Sequence, residues 1–155
     1  MNNKEILNEL EKKFEDLKKE FGFKSELQDI DEIFYIKDAI LKDGFVSENI
    51  DRQICSRIIE TYMGWTNYLH SLIVPNPQNI LNISESRIFN SEEKKEINNM
   101  MKKAMEISSK NSWIGLTKNK QEEARFIDEA VNNWKNNFGI KLIKILEKVK
   151  GEWEK

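Results

Sequence analysis

Five carboxylates in the chain have the residue type and the spacing that a magnesium or manganese site needs. Mg²⁺ takes oxygen ligands and keeps several of its waters, so a few carboxylates from different helices suffice. Asp31 and Asp38 fall two turns apart and roughly in line on one predicted helix. The other candidate ligands lie further along the chain, at Glu60, Asp128 and Glu129. One interpretation is therefore a Mg/Mn-dependent hydrolase or nuclease-like enzyme, and the other is an acidic helix face in contact with solvent.

The single cysteine and the single histidine are too far apart to act as a nucleophile and its base. Cys55 and His70 are fifteen positions apart in one predicted helix, which separates them by about 22 Å. Cys55 also lies beside Ile54 and Ile58, and these neighbours favour a buried, unreactive thiol. We assign no catalytic residue and expect no cofactor.

Residues 61–84 contain no Asp, Glu, Lys or Arg, in a chain of which 34% is charged. Tyr62, Trp65 and Tyr68 recur at every third position of this window, so they form a slanting row along a helix. Tyrosine and tryptophan are enriched at protein interfaces because they bury a large area and keep a polar group. The window therefore predicts either a helix buried at the centre of the fold or an uncharged aromatic surface that contacts a partner.

The second alternative assigns a contact surface to the window and its flanks. Amides and the histidine of the window would supply neutral hydrogen bonds, and two arginines of the same helix would lie at the rim. The predicted binding residues are Arg52, Arg57, Tyr62, Trp65, Asn67, Tyr68, His70, Asn76, Gln78 and Asn79.

Hydrophobic residues recur at helical spacing through nearly the whole chain, and no segment alternates as a β-strand would. The pattern predicts an all-α fold, a single-domain bundle or orthogonal array of five to six helices over residues 1–155. In the first helix, residues 1–22, the apolar side chains follow the spacing of a coiled coil, and Gly22 ends the helix. This first helix either docks on the core or forms a dimer.

Caps and breakers set the bounds of the remaining helices. Ser25 is expected to cap the second helix in a capping box with Gln28. Pro75 ends the third helix, and residues 75–90 form a long mid-chain crossover loop. A break after residue 110 is expected to bury Trp113, and Gly139 is expected to close the helix before the last. The helices after the first are predicted at residues 26–42, 48–73, 92–110, 117 or 119 to 138, and 140–150.

Composition limits the classes of function. The chain has 155 residues with 25 basic and 27 acidic side chains, and its net charge of −2 argues against a nucleic-acid partner. No apolar run reaches the length of a membrane span, and no apolar leader follows the amino terminus. The expected location is the cytoplasm, where one free thiol is ordinary. The sequence predicts a non-enzymatic helical interaction protein with a protein partner, and self-association into a homo-oligomer is a further alternative.

Overall fold

The computed structural model describes residues 1–155 and contains helices and no strands, so the all-α prediction is confirmed. One hydrophobic core of 30 buried residues draws on every long helix, and it forms a single domain. The helices are α1 (Asn3–Phe21), α2 (Leu27–Phe34), α3 (Ile36–Asp43), α4 (Ile50–Ile73), α5 (Ile80–Ser86), α6 (Ser91–Thr117), α7 (Lys120–Asn133) and α8 (Gly139–Trp153), with a π-helical turn (Trp134–Phe138) between the last two.

Helix α1 docks on the core of its own chain. Leu10 and Phe14 are fully buried, and the Phe14 ring meets the Phe23 ring edge-on at 5.5 Å. Gly22 takes φ 72°, a left-handed conformation that ends the helix as the sequence predicts. The buried side chains of α1 are therefore used within the chain, and self-association through this helix stays a prediction.

The predicted second helix is divided into α2 and α3 at Tyr35, which takes φ 55°. Two contacts hold this elbow: the Lys37 amide donates to Asp31 Oδ1 at 2.9 Å, and Arg57 Nε donates to the Phe34 carbonyl at 2.6 Å. The capping box predicted at Ser25 is wrong, since α2 begins after Glu26 without a side-chain cap. Ser25 Oγ donates instead to Asp128 of α7, at 2.6 Å.

Helix α4 is the centre of the fold, as its broad apolar face predicts. Ile54, Cys55, Ile58, Leu69 and Leu72 along it are completely buried. After α4 the predicted crossover loop contains the short helix α5, which packs back on α4 through Ser86 Oγ donating to the Leu72 carbonyl at 2.6 Å.

The break predicted after residue 110 is wrong, because α6 continues to Thr117 and leaves half of Trp113 exposed to solvent. The closure predicted at Gly139 is also wrong, because α7 passes through the π-helical turn directly into α8. A Cβ on Gly139 would lie 2.7 Å from both the carbonyl oxygen and Nε1 of Trp134. Glycine is therefore required there for the close approach of Trp134 and not for a helix stop.

No helix of the structure combines the length and the apolar character that crossing a membrane requires.

Candidate functional site

A groove of about 630 Å³ lies open between α4 and α8. One wall is the part of α4 that begins at Arg57 and ends at Tyr68, and the other is α8 from Gly139 to Leu146. Most of the lining is apolar, and Leu142, Ile143 and Leu146 supply the α8 side. Ile143 leaves 58% of its surface in contact with solvent, so the groove is not filled by the chain's own side chains.

The α4 wall of the groove is built from aromatic rings around a glycine. The rings of Trp65 and Tyr68 meet edge-to-face, with centroids 6.2 Å apart. Gly64 lies beside them in the groove, and a Cβ placed on it would meet nothing within 4 Å. A partner's backbone can therefore approach α4 closely at this point.

The α2–α3 elbow closes one end of the groove. Tyr35 borders this end with 57% of its surface exposed, and its left-handed backbone is uncommon for a residue with a side chain. Arg57, which holds the elbow through the Phe34 carbonyl, also pairs with Glu60 at 3.1 Å. Glu32 lies on the same rim and accepts a hydrogen bond from Gln28 at 3.0 Å.

Beyond the other end of the groove, a carboxylate is held between two aromatic side chains. Tyr68 Oη donates to Glu85 Oε1 at 3.2 Å, and Trp153 Nε1 donates to Glu85 Oε2 at 2.9 Å. Burial and the neighbouring Glu85 carboxylate raise the pKa of Tyr68 to about 12. Tyr68 therefore remains a neutral hydrogen-bond donor at physiological pH.

The predicted contact residues of α4 are divided between the groove, the core and the opposite face. Trp65, Tyr68 and Arg57 line the groove. Tyr62 is fully buried, and its hydroxyl donates to the Ala130 carbonyl at 2.6 Å. Tyr62 therefore does not belong to a contact surface. Asn67 and His70 are exposed but do not line the groove, since their positions place them on another flank of α4.

The predicted contact residues of the crossover loop have local roles in the chain turn. Asn76 Oδ1 accepts from the Gln78 amide at 3.0 Å, which shapes the turn after α4. Asn79 caps α5 by accepting from the amides of Leu81 and Asn82. Asn76, Gln78 and Asn79 are exposed and lie outside the groove lining.

Arg52 belongs to a buried cluster of charges where α4 and α7 begin. It donates to Glu123 Oε2 at 2.9 Å, and Lys120 pairs with Asp51 of the same cluster. Asp51 and Glu123 are 5% and 3% exposed, so both carboxylates are withdrawn from water. Burial and the adjacent Asp51 carboxylate raise the pKa of Glu123 to about 7. Burial also raises the pKa of the nearby Cys55 thiol far above its usual value, which leaves it a poor nucleophile.

The carboxylates of the proposed metal site are not brought together, and no group of three or more potential ligands is arranged around a metal position. Asp128 accepts from the backbone of Lys24 and Ser25, and Glu129 pairs with Lys110 at 2.6 Å. The other three carboxylates have separate partners or positions. Asp31 stabilises the elbow, and Glu60 pairs with Arg57. Asp38 borders a separate polar groove between α3 and α4, which Glu60 also reaches. The five carboxylates therefore do not form one site in this structure, and the metal-dependent alternative stays a prediction.

Sequence reasoning missed the whole α8 side of the groove. Ile143 lies outside the stripe formed by Leu142, Leu146 and Val149. The available signal in the sequence was that the apolar face of this last helix is too broad for a single contact with the core. Tyr35 gave no signal, because its left-handed conformation depends on contacts made by Asp31 and Arg57.

The fold and the groove define an all-α protein with an open, largely apolar cleft on its surface. No protein-family model, no curated protein and no solved structure matches the chain.

Proposed function

We propose that this chain is a non-enzymatic helical interaction protein that binds a segment of another protein in the groove between α4 and α8. The observation that carries the proposal is that the uncharged, aromatic part of α4 from Thr61 to Tyr68 opens onto a groove that the chain leaves unfilled. Proteins commonly recognise a helix or a peptide by binding it in an exposed apolar groove flanked by aromatic side chains. Trp65 supplies the kind of aromatic contact that dominates binding energy at such sites.

Gly64 supports this assignment because it lies in the interior of a 24-residue helix, where glycine is unfavourable. Compared with alanine, a helix-interior glycine costs about 0.5–1 kcal/mol. A Cβ would have open space at Gly64, so packing within the chain does not explain the glycine. Close approach of a partner's backbone does explain it.

The elbow at Tyr35 supports the same surface. A residue other than glycine in the left-handed region costs on the order of 1–2 kcal/mol. In this chain, the left-handed conformation places a large, exposed aromatic side chain at the mouth of the groove. Strained backbone is concentrated at ligand-contacting positions in proteins, which is the role that we assign to Tyr35.

The experiment is a selection of peptides from a random displayed library against the intact chain, followed by binding measurements with variants. Gly64→Glu places a charged side chain in the groove, and we expect it to weaken binding of the selected peptides at least roughly tenfold, as loss of a hot spot does. Fluorescence anisotropy with labelled peptides measures the dissociation constants.

Gly151→Glu is the matched control, since Gly151 is also a helical glycine with open space around its Cβ but lies outside the groove. Both variants add one carboxylate and one side chain to an exposed helix face. Peptides that bind wild type and both variants equally would overturn the proposal. The cytoplasmic location and the homo-oligomer stay predictions that this experiment does not address.

A further inference from the structure

The groove has an excess of negative charge at its ends. Its only lining cation, Arg57, is already engaged by the Phe34 carbonyl and by Glu60. Glu32 on the elbow rim and Glu85 beyond the opposite end form no salt bridge, although the molecule forms fifteen of them. Two carboxylates without cationic partners therefore flank an apolar channel.

Glu85 has the surroundings of an organic-cation site. Each of its carboxylate oxygens accepts one neutral donor, from Tyr68 and from Trp153, and this fixes the orientation of the carboxylate. Trp65 packs edge-to-face on Tyr68, and Trp153 leaves 54% of its surface exposed. Aromatic rings beside a carboxylate attract ammonium and guanidinium groups through ring quadrupoles as well as through charge. Each carboxylate oxygen retains a lone pair for such a cation.

We infer that the partner segment is apolar in its middle and carries a lysine or arginine side chain that binds Glu85 between Tyr68 and Trp153. A second basic residue of the segment lies at the other end, against Glu32. This inference rests on the proposed function, and it specifies the chemistry of the partner: a basic amphipathic segment of a second protein.

The size of the groove sets the length of the apolar part. Along α4 the groove runs from Arg57 to Tyr68, eleven residues apart, and this corresponds to about 16 Å. A helical partner covers that length in roughly three turns, so its basic residues would be separated by three to four turns of helix.

The test uses the peptides selected against the intact chain. Among the peptides whose binding is lost in Gly64→Glu, we expect lysine and arginine to be enriched over aspartate and glutamate at the ends of an apolar core. For such a peptide, Glu85→Gln removes the charge and retains most of the shape. We expect the dissociation constant to rise roughly tenfold at low salt, with a smaller difference at high salt because ions screen the pair.

Glu20→Gln is the control, because Glu20 is an exposed carboxylate on α1 and is remote from the groove lining. We expect it to leave the dissociation constant unchanged. Groove-dependent peptides that lack basic residues, or that bind Glu85→Gln as tightly as wild type, would overturn the inference and leave the proposed function intact. Peptides that are insensitive to Gly64→Glu would overturn both.

Discussion

Glu123 is a buried carboxylate whose surroundings raise its pKa into the neutral range. It lies beside the Asp51 carboxylate and accepts from Arg52, with Lys120 on the same side. Burial disfavours the ionised form and the Asp51 carboxylate repels it, so the pKa of Glu123 rises from 4.5 to about 7. Burial disfavours the charged form of Asp51 as well, but a hydrogen bond with Glu123 and the ion pair with Lys120 outweigh it and lower the pKa of Asp51. Below about pH 7 the cluster therefore holds one proton, and that proton is on Glu123.

This proton makes folding dependent on pH. A pKa that is higher in the folded state than in the unfolded state adds stability at low pH, and that stability is lost as pH rises through the folded value. We expect the free energy of unfolding to fall as pH increases from about 4.5 to about 7, the interval set by the unfolded and folded pKa values of Glu123. Glu123→Gln mimics the protonated form and should flatten this dependence. Urea unfolding followed by tryptophan fluorescence across the interval measures both.

Glu122→Gln is the matched control for this pH prediction, since Glu122 is the neighbouring residue and pairs with Arg125 at the surface. Glu122→Gln should retain the wild-type dependence on pH. A Glu123→Gln variant with the same slope as wild type would contradict the assignment of the proton to Glu123.

At the scale of elements, two glycines of similar appearance in the sequence have opposite roles in the helices. Gly64 lies in α4 with open space at its Cβ, whereas a Cβ on Gly139 would lie 2.7 Å from Trp134, at the junction of the π-helical turn and α8. The crowding at Gly139 comes from the π-helical turn that places Trp134 beside it, and helical periodicity alone does not distinguish the two glycines.

We predict that substitution by alanine changes the free energy of unfolding in opposite directions at these two glycines. Gly64→Ala should raise the free energy of unfolding by about 0.5–1 kcal/mol, because alanine is the better helix former and nothing obstructs its methyl group. Gly139→Ala should lower it by about 1–3 kcal/mol, because the methyl group would force Trp134 and the turn apart. Chemical denaturation of both variants measures the difference, and a Gly139→Ala protein as stable as wild type would show that the turn does not need glycine.

Elements with a strong local pattern were predictable from the sequence. The apolar spacing of α1 and the Gly22 terminus predict that helix, and Pro75 predicts the end of α4. The elbow at Tyr35 was not predictable, because its conformation depends on Arg57, which is distant in sequence. The groove was predicted in part: Trp65 and Tyr68 follow from the uncharged window, while Ile143 needed the placement of α8. Local pattern determines a helix, and a surface between two helices depends on how they pack.

At the scale of the whole molecule, α1 is part of the only hydrophobic core and is not an appended arm. Its buried residues Ile6, Leu10 and Phe14 belong to the same cluster as the buried residues of α4 and α7. Asp128 of α7 also accepts from the amides of Lys24 and Ser25, so the chain directly after α1 is tied to the core. Removal of α1 would open the core and not merely detach a contact surface.

We therefore expect the chain that begins at residue 23 to lose cooperative folding. Truncating one buried leucine or phenylalanine costs about 2–5 kcal/mol, and the whole domain is expected to have only about 5–15 kcal/mol of stability. Loss of the buried Ile6, Leu10 and Phe14 side chains together with their helix is comparable to that whole margin. Thermal unfolding followed by near-ultraviolet circular dichroism of residues 23–155 measures the effect, with full-length Leu10→Ala and the exposed substitution Glu11→Ala as graded controls. Leu10→Ala should lower the midpoint and Glu11→Ala should not.

A truncated chain that unfolds cooperatively at the full-length midpoint would show that α1 is an arm after all. Size-exclusion chromatography of both forms would then determine whether that arm mediates self-association.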